Sequence, residues 1–322
     1  MGDYPIPEHP TWFKVDSTKL QSTMDCWRMY MYEYIFGWRS SRPNNHLVFG
    51  DAWHAAMEHL LIHGYSDLEV IRAYDKFLKK YRLEFSEDTD SEFAPKTPHN
   101  ALNALSKYVE HYKSDMEKYK VLYTETSGVV SLAEDIQMYF KIDSILEDND
   151  KMIFSLEHKT GSMLSDKWKE RFSLSTQVGT YTHVMYCMYP PERVKGVKIN
   201  GAFFYKSKPP AFERVPVWKT KNQMQVWLYN TMWWIDELKH NMELLKEQTE
   251  DQQVLECFPM NTESCTKYFG CPYLDFCTAW PNPLQHYGEP PLGFKEDFWD
   301  PERETTHKFV DKGSRGEKKD AN

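Results

Sequence analysis

The chain has 322 residues, of which 41% are hydrophobic and 15% aromatic; this excludes a disordered polypeptide and suits one large or two small folded domains. A net charge of −9 excludes a generally basic nucleic-acid coat protein, although carboxylates are what a metal site needs. No apolar run is long enough to cross a bilayer. The opening MGDYPIPEHP has neither the basic nor the apolar region of a secretory signal, so a cytoplasmic protein with no membrane role is expected.

In chain order, residues 16–36 are expected to form a helix, capped by Asp16 or Ser17 and carrying Cys26, with Leu20, Met24, Trp27 and Met31 at helical spacing. A loop around Pro43 and Asn44–Asn45 precedes a second helix, 46–63, stopped by Gly64. A third is expected from Ser66 or Asp67 to Leu83, and a fourth from Asn100 to Lys118. Residues 120–133, 136–146 and 152–158 have the composition of strands, with a turn at Asn149–Asp150. A helix over 172–189, strands over 196–206 and 212–218, and a long helix over 221–248 follow. An irregular cysteine-bearing stretch covers 257–280, and 311–322 is a solvated tail. The implied organisation is a helical part (1–119), an α/β core (120–250), a cysteine lobe (251–290) and a flexible tail (291–322).

Of the six cysteines, Cys265, Cys271 and Cys277 are regularly spaced in a turn-rich segment with Gly270 and Pro272. Thiolates suit an iron–sulfur cluster or zinc. A fourth ligand is needed: Cys26 is the best candidate and Cys257 its rival, while Cys187 sits in an apolar helix and is expected in the core.

Asp143 ends one predicted strand, and Glu157–His158–Lys159 ends the next. Residues i and i+2 of a strand share a face, so Glu157 and Lys159 point together, and a hairpin around Asn149–Asp150 brings Asp143 to them. Two carboxylates can hold Mg²⁺ or Mn²⁺, and an adjacent lysine can orient water or stabilise charge on a phosphate. From these three residues alone, a salt bridge across a hairpin would look the same. His54 and Glu58 share one face of the second helix, and Gln177 and Tyr181 have the same i, i+4 spacing further on.

Taken in order, these segments resemble the RecB-like nucleases of the PD-(D/E)xK superfamily. Gly50 to Glu58 is similar to the family's G-x-x-x-H-x-x-x-E helix, and Asp143 to the aspartate of its second motif. Glu157–His158–Lys159–Thr160–Gly161 is similar to D/E-x-K-T-G, and Gln177 to Tyr181 to Q-x-x-x-Y. One early and three late cysteines resemble the iron–sulfur subgroup, which includes CRISPR-associated RecB-like exonucleases and the AddB nuclease domain. Phe140 stands where the family often has glycine, and Glu157 where many relatives have aspartate.

The resemblance implies a restriction-endonuclease-like α/β core with a mixed central sheet, an N-terminal helical cap and a C-terminal iron–sulfur lobe. It implies Mg²⁺ or Mn²⁺ held by His54, Asp143, Glu157 and the carbonyl of His158, with Lys159 serving the attacking water and Gln177 and Tyr181 shaping the site and contacting DNA. Cys26, Cys265, Cys271 and Cys277 would ligate a 4Fe-4S cluster. The expected activity is exonucleolytic hydrolysis of single-stranded DNA at ends, in a cytoplasmic, nucleoid-associated protein of host or phage origin. Trp27, Tyr30 and Tyr34 are candidates for stacking bases. The competing expectation is a non-catalytic or partner-dependent DNA-binding or processing subunit of a recombination or CRISPR adaptation complex. The complete His54, Asp143, Glu157 and Lys159 set weighs against it.

Overall fold

The computed structural model describes residues 3–267, 270–304 and 308–309, so the expected tail at 311–322 lies outside the described residues. The elements run β1 (Trp38–Ser40) after α1 (Ser17–Asp25) and α2 (Trp27–Tyr30), then α3 (Asn45–His63), α4 (Asp67–Tyr81), α5 (Pro98–His111) and α6 (Asp115–Lys118). Next come the strands β2 (Tyr119–Ala133), β3 (Ile136–Asp148) and β4 (Ile153–Gly161). Helices α7 (Asp166–Glu170) and α8 (Thr176–Met188) lead to β5 (Val194–Phe203) and β6 (Ala211–Val217). The chain closes with α9 (Lys221–Leu245), α10 (Leu274–Ala279), β7 (Phe294–Glu296) and β8 (Lys308–Phe309). Among the described residues, no helix is long and apolar enough to cross a membrane.

The chain groups into two compact units that alternate along the sequence. One comprises Met1–Arg42, Gly128–Phe140 and Asn222–Glu304; the other comprises Pro43–Ser127, Lys141–Lys221 and Thr305–Asn322.

In the second unit, local chemistry sets the helix starts. The Asn44 side chain accepts from the His46 N–H at the start of α3, and Gly64 ends that helix at φ +99°. Ser66 caps α4, whose acidic first turn and basic last turn both match the helix dipole. Thr97 caps α5, with Pro98 in the first helical position. These three helices bury Phe49, Trp53, Phe77, Tyr81, Leu105 and Tyr108 against Phe204 beyond β5. The strand order is β6-β5-β4-β3-β2-β8. The sheet is mixed: β3 and β4 are antiparallel, β4 and β5 parallel, β5 and β6 antiparallel. The parallel pair requires a crossover, which α7 and α8 supply. A Cβ on Gly201 would meet Trp168 at 2.6 Å and Phe203 at 2.8 Å, so only glycine lets these rings close over the strand end.

The structure corrects several boundaries. The expected 16–36 helix is broken at Cys26, which is extended at φ −167° and ψ 120°; the chain resumes as α2 and one π-helical turn, Met31–Ile35. The fourth helix stops at His111, and the helix expected from 172 begins at Thr176, where Ser175 caps it. The 257–280 stretch contains the short helix α10. Cys187 is exposed rather than core. Tyr30 and Tyr34 are buried and stack on each other at 5.2 Å between ring centroids, which removes them as platforms for DNA bases.

In the first unit, the break at Cys26 has identifiable partners. The Asn261 and Ser264 side chains donate to the Asp25 carbonyl, Arg28 Nε donates to the Phe258 carbonyl, and the Asn261 N–H points at Cys26 Sγ at 3.3 Å. A helix continued through Cys26 would keep the Asp25 carbonyl inside its own ladder. The late cysteine segment takes that carbonyl instead.

Candidate active site

The site lies where backbone pairing between β3 and β4 gives way to side-chain bonds. The ladder registers Glu147 with Ile153, Leu146 with Phe154 and Ile145 with Ser155. One residue further back along β3, Ser144 Oγ donates to the Leu156 carbonyl at 3.0 Å. At the next, Asp143 Oδ2 accepts the His158 N–H at 2.8 Å. The sequence argument from i, i+2 spacing is met: Lys159 Nζ lies 2.7 Å from Glu157 Oε1. Asp143 is 8% exposed and Glu157 2%.

Helix α3 adds His54. Its Nε2 donates to the His158 carbonyl at 2.9 Å, and its Nδ1 is 3.4 Å from Asp143 Oδ1. Burial works against charge on this ring, but Asp143 beside it prevails and lifts its pKa to about 9. Burial likewise opposes ionisation of Asp143, yet the His54 charge and hydrogen bond hold its carboxyl well below the usual carboxylate range. Glu157 goes the other way. Burial first, and the Asp143 charge second, raise it to about 7 despite Lys159. The imidazolium and ammonium thus balance two buried carboxylates. One oxygen, Glu157 Oε2, has no hydrogen-bond partner among the described residues although it is buried.

Gln177 and Tyr181 form a bracing pair on α8. Gln177 Nε2 donates to the Tyr181 hydroxyl at 3.0 Å, and that hydroxyl donates to the Lys141 carbonyl, two residues before Asp143. Tyr181 is buried, so it shapes the site from behind.

Sequence reasoning missed several neighbours. Glu125 sits at φ +48° within β2, a left-handed kink between the buried Thr124 and Thr126. Its carboxyl is raised by burial and then by the Asp143 charge, and it pairs with Lys141 at 3.2 Å. Thr124 donates to Glu58 at 3.2 Å. Behind His158, the Arg214 guanidinium donates to Asn200 Oδ1 at 3.0 Å. This fixes the amide, so that Asn200 Nδ2 donates to His158 Nδ1 at 2.8 Å and to the Tyr108 hydroxyl at 2.8 Å. His158 is neutral, its pKa held near 3 by burial. Only the i, i+2 relation of Lys141 to Asp143 carried a local signal; the others come from distant segments.

The cysteine set belongs to the first unit. Cys271 and Cys277 are raised, first by burial; for Cys277 (to about 11) the charges of Cys26, Cys271 and Cys265 add to it. For Cys257, burial dominates and no cysteine contributes. Asn261 links two of the thiols, its N–H pointing at Cys26 Sγ at 3.3 Å and its carbonyl facing the Cys265 thiol at 4.0 Å, and the Cys271 N–H donates to the Cys265 carbonyl at 2.9 Å. Among the described residues, no three His, Cys, Asp or Glu side chains are gathered tightly enough to grip a metal ion as they stand.

The PD-(D/E)XK nuclease superfamily model matches residues 17–278. The chain belongs to that superfamily, and its mixed sheet with flanking helices is the superfamily's α/β core. No curated protein matches it in sequence. Among solved structures, it is similar to a protein from Eubacterium rectale described as a putative exonuclease, at 14% identity and a TM-score of 0.46 over 71% of this chain and 82% of that one. It also matches SSO0001, at 11% identity and a TM-score of 0.24 over 67% of this chain and 82% of that one.

Proposed function

We propose that the chain is a divalent-cation-dependent deoxyribonuclease of the RecB-like iron–sulfur subgroup, trimming single-stranded DNA from an end. The observation that carries the reading is the junction of Asp143, Glu157, Lys159 and His54, with Glu157 Oε2 buried and unpartnered among the described residues. Oxygen donors of this kind fit Mg²⁺ or Mn²⁺. Asp143, Glu157, the His158 carbonyl and His54 would hold the ion, His54 giving up both its present bond to that carbonyl and the proton that makes it an imidazolium. A bound cation supplies Lewis-acid polarisation of the scissile phosphate and a more acidic water.

The remaining roles fall to the chain itself. Lys159, anchored on Glu157, places an ammonium where negative charge grows on the phosphate. The Asp143 carboxylate fixes the His158 peptide, and Asn200 fixes its ring, so the carbonyl keeps its direction. Tyr181 holds β3 at Lys141.

The second part of the reading is a 4Fe-4S cluster on Cys26, Cys265, Cys271 and Cys277, with a structural role. Supporting it are the soft donor set and Asn261, whose N–H is directed at Cys26 sulfur and whose carbonyl faces the Cys265 thiol.

With Mn²⁺, the purified chain is expected to digest end-labelled single-stranded DNA and to spare a circular single strand. Lys159→Ala and Glu157→Ala should both digest the linear strand at least about 100-fold more slowly. Undiminished digestion by either variant removes this site; digestion of the circle removes the exonuclease assignment.

A further inference from the structure

Lys96 is only 4% exposed, yet it has no carboxylate partner among the described residues. Its side chain makes one hydrogen bond, from Nζ to Thr160 Oγ1 at 3.0 Å. An ammonium carries three donors, so two have no acceptor among the described residues. Burial alone pushes its pKa down to about 8, with no acidic neighbour working the other way. An uncompensated buried charge is costly, and an anion that reached this ammonium would offset that cost.

The surroundings add further positive potential. Lys96 stands immediately before Thr97, the cap of α5. Its carbonyl accepts from Asn45 Nδ2, in the first turn of α3. Both helices start here, and neither has an acidic residue in its first turn. Each start contributes the partial positive charge of unpaired N–H groups. The field reaches the exposed His46, whose pKa is lowered by burial and then by Lys96. Three sources of one sign, with no acid among them, make an anion site.

Its place follows from α3. A Cβ built on Gly50 would meet Thr160 Oγ1 at 3.8 Å, and one turn later on the same helix face His54 touches the His158 carbonyl. One turn is about 5.4 Å. Thr160 also directly follows Lys159.

We propose that Lys96, the Thr160 hydroxyl and the two helix starts at Asn45 and Thr97 form a phosphate subsite holding a DNA phosphate next to the scissile one. The proposal rests on the nuclease reading of Asp143, Glu157 and Lys159. The phosphate is either a terminal monophosphate or an internal phosphodiester, and both present the same oxygens.

The test is fluorescence anisotropy of a labelled single-stranded oligonucleotide in EDTA, over a series of NaCl concentrations, with wild type and Lys96→Met. The variant should bind roughly 10-fold more weakly and lose about 0.7 from the log–log salt slope, the value of one single-strand phosphate contact. Its melting temperature should be unchanged or higher, because a buried unpaired charge has been removed. Unchanged affinity and slope would overturn the proposal. So would a Lys96→Met chain that fails to fold, since Lys96 would then be holding the structure rather than a ligand. If the phosphate is terminal, a 5′-hydroxyl oligonucleotide binds wild type as weakly as the 5′-phosphate form binds the variant; if internal, the end group is immaterial. Because binding is read without a divalent cation, the two readings separate. Lys96-dependent binding without cleavage after Mn²⁺ addition refutes the nuclease and leaves the subsite, whereas cleavage with no Lys96 effect does the reverse.

Discussion

Of the buried lysines, Lys19 and Lys96, one from each unit, are treated in opposite ways. Lys19 is 1% exposed, and its Nζ donates to the carbonyls of Thr11, Trp12 and Lys14 at 2.7, 2.8 and 3.0 Å. Burial pushes its pKa down to about 7 against the pull of Asp16. Three acceptors need three N–H donors, which only the ammonium has. The rings of Tyr30, Tyr34 and Trp299 lie 5.5–5.8 Å from it. Lys96 has one hydroxyl and the Phe49 ring at 5.8 Å, and no anion among the described residues. The contrast separates a charge that organises a fold from a charge that waits for a ligand. Every donor of the first is used internally, whereas those of the second are mostly unmet.

The unit that contains Lys96 also contains the buried carboxylates, and there the largest effect is expected. Lys159→Ala should lower single-turnover cleavage on the order of 10²–10³-fold while leaving DNA affinity in EDTA within about twofold. An equal loss of binding would make Lys159 a second Lys96 rather than a group of the reaction. Lys19→Met should destabilise the chain by roughly 3–5 kcal/mol in urea titration, because it strands three buried carbonyls. If it proves as harmless as Lys96→Met is expected to be, the distinction between the two lysines fails.

A smaller effect is expected behind the site. Asn200→Leu leaves Arg214 Nε and His158 Nδ1 without their present partner, at about 1–3 kcal/mol. It should also weaken Mn²⁺ affinity by about 10-fold or more, because the His158 peptide loses its brace. Loss of stability with unchanged Mn²⁺ affinity would make Asn200 purely structural. The smallest effect concerns pH. A lysine at about 8 when folded and near 10.4 when unfolded binds fewer protons in the folded state between those values, so wild-type stability gains with rising pH across that window. The gain should be smaller in Lys96→Met, which keeps the part contributed by Lys19 and Lys198, in parallel urea titrations at pH 8 and pH 10.

The cysteines offer a similar contrast within one unit. Anaerobically prepared chain is expected to be brown. Cys26→Ser should bleach it and Cys257→Ser should not. A colourless wild type with stoichiometric zinc would replace the cluster by a zinc site.

Much of this was legible in the sequence where the signal is local. The start of α4 at Ser66 follows from capping chemistry and the pairing of Glu157 with Lys159 from strand periodicity, whereas the helix expected from Asn100 begins at Pro98 behind the cap Thr97. The turn at Asn149–Asp150 correctly folded Asp143 back toward them. What stayed hidden depends on distant partners. Nothing near Cys26 announces that Asn261 and Ser264 will take the Asp25 carbonyl and break the helix. Nothing near Lys96 announces that it will be buried beside Thr160, 64 positions away. Glu125 looks like an ordinary strand residue until its φ of +48° is seen.

The proposed cation between β3 and β4 is the most direct point of attack. Electron paramagnetic resonance of free Mn²⁺, titrated with wild type and with Glu157→Gln, reads this without any need for cleavage. The account predicts that wild type depletes the free-ion signal at a one-to-one or two-to-one ratio, and that the variant leaves most of it. Equal depletion by both proteins would contradict it.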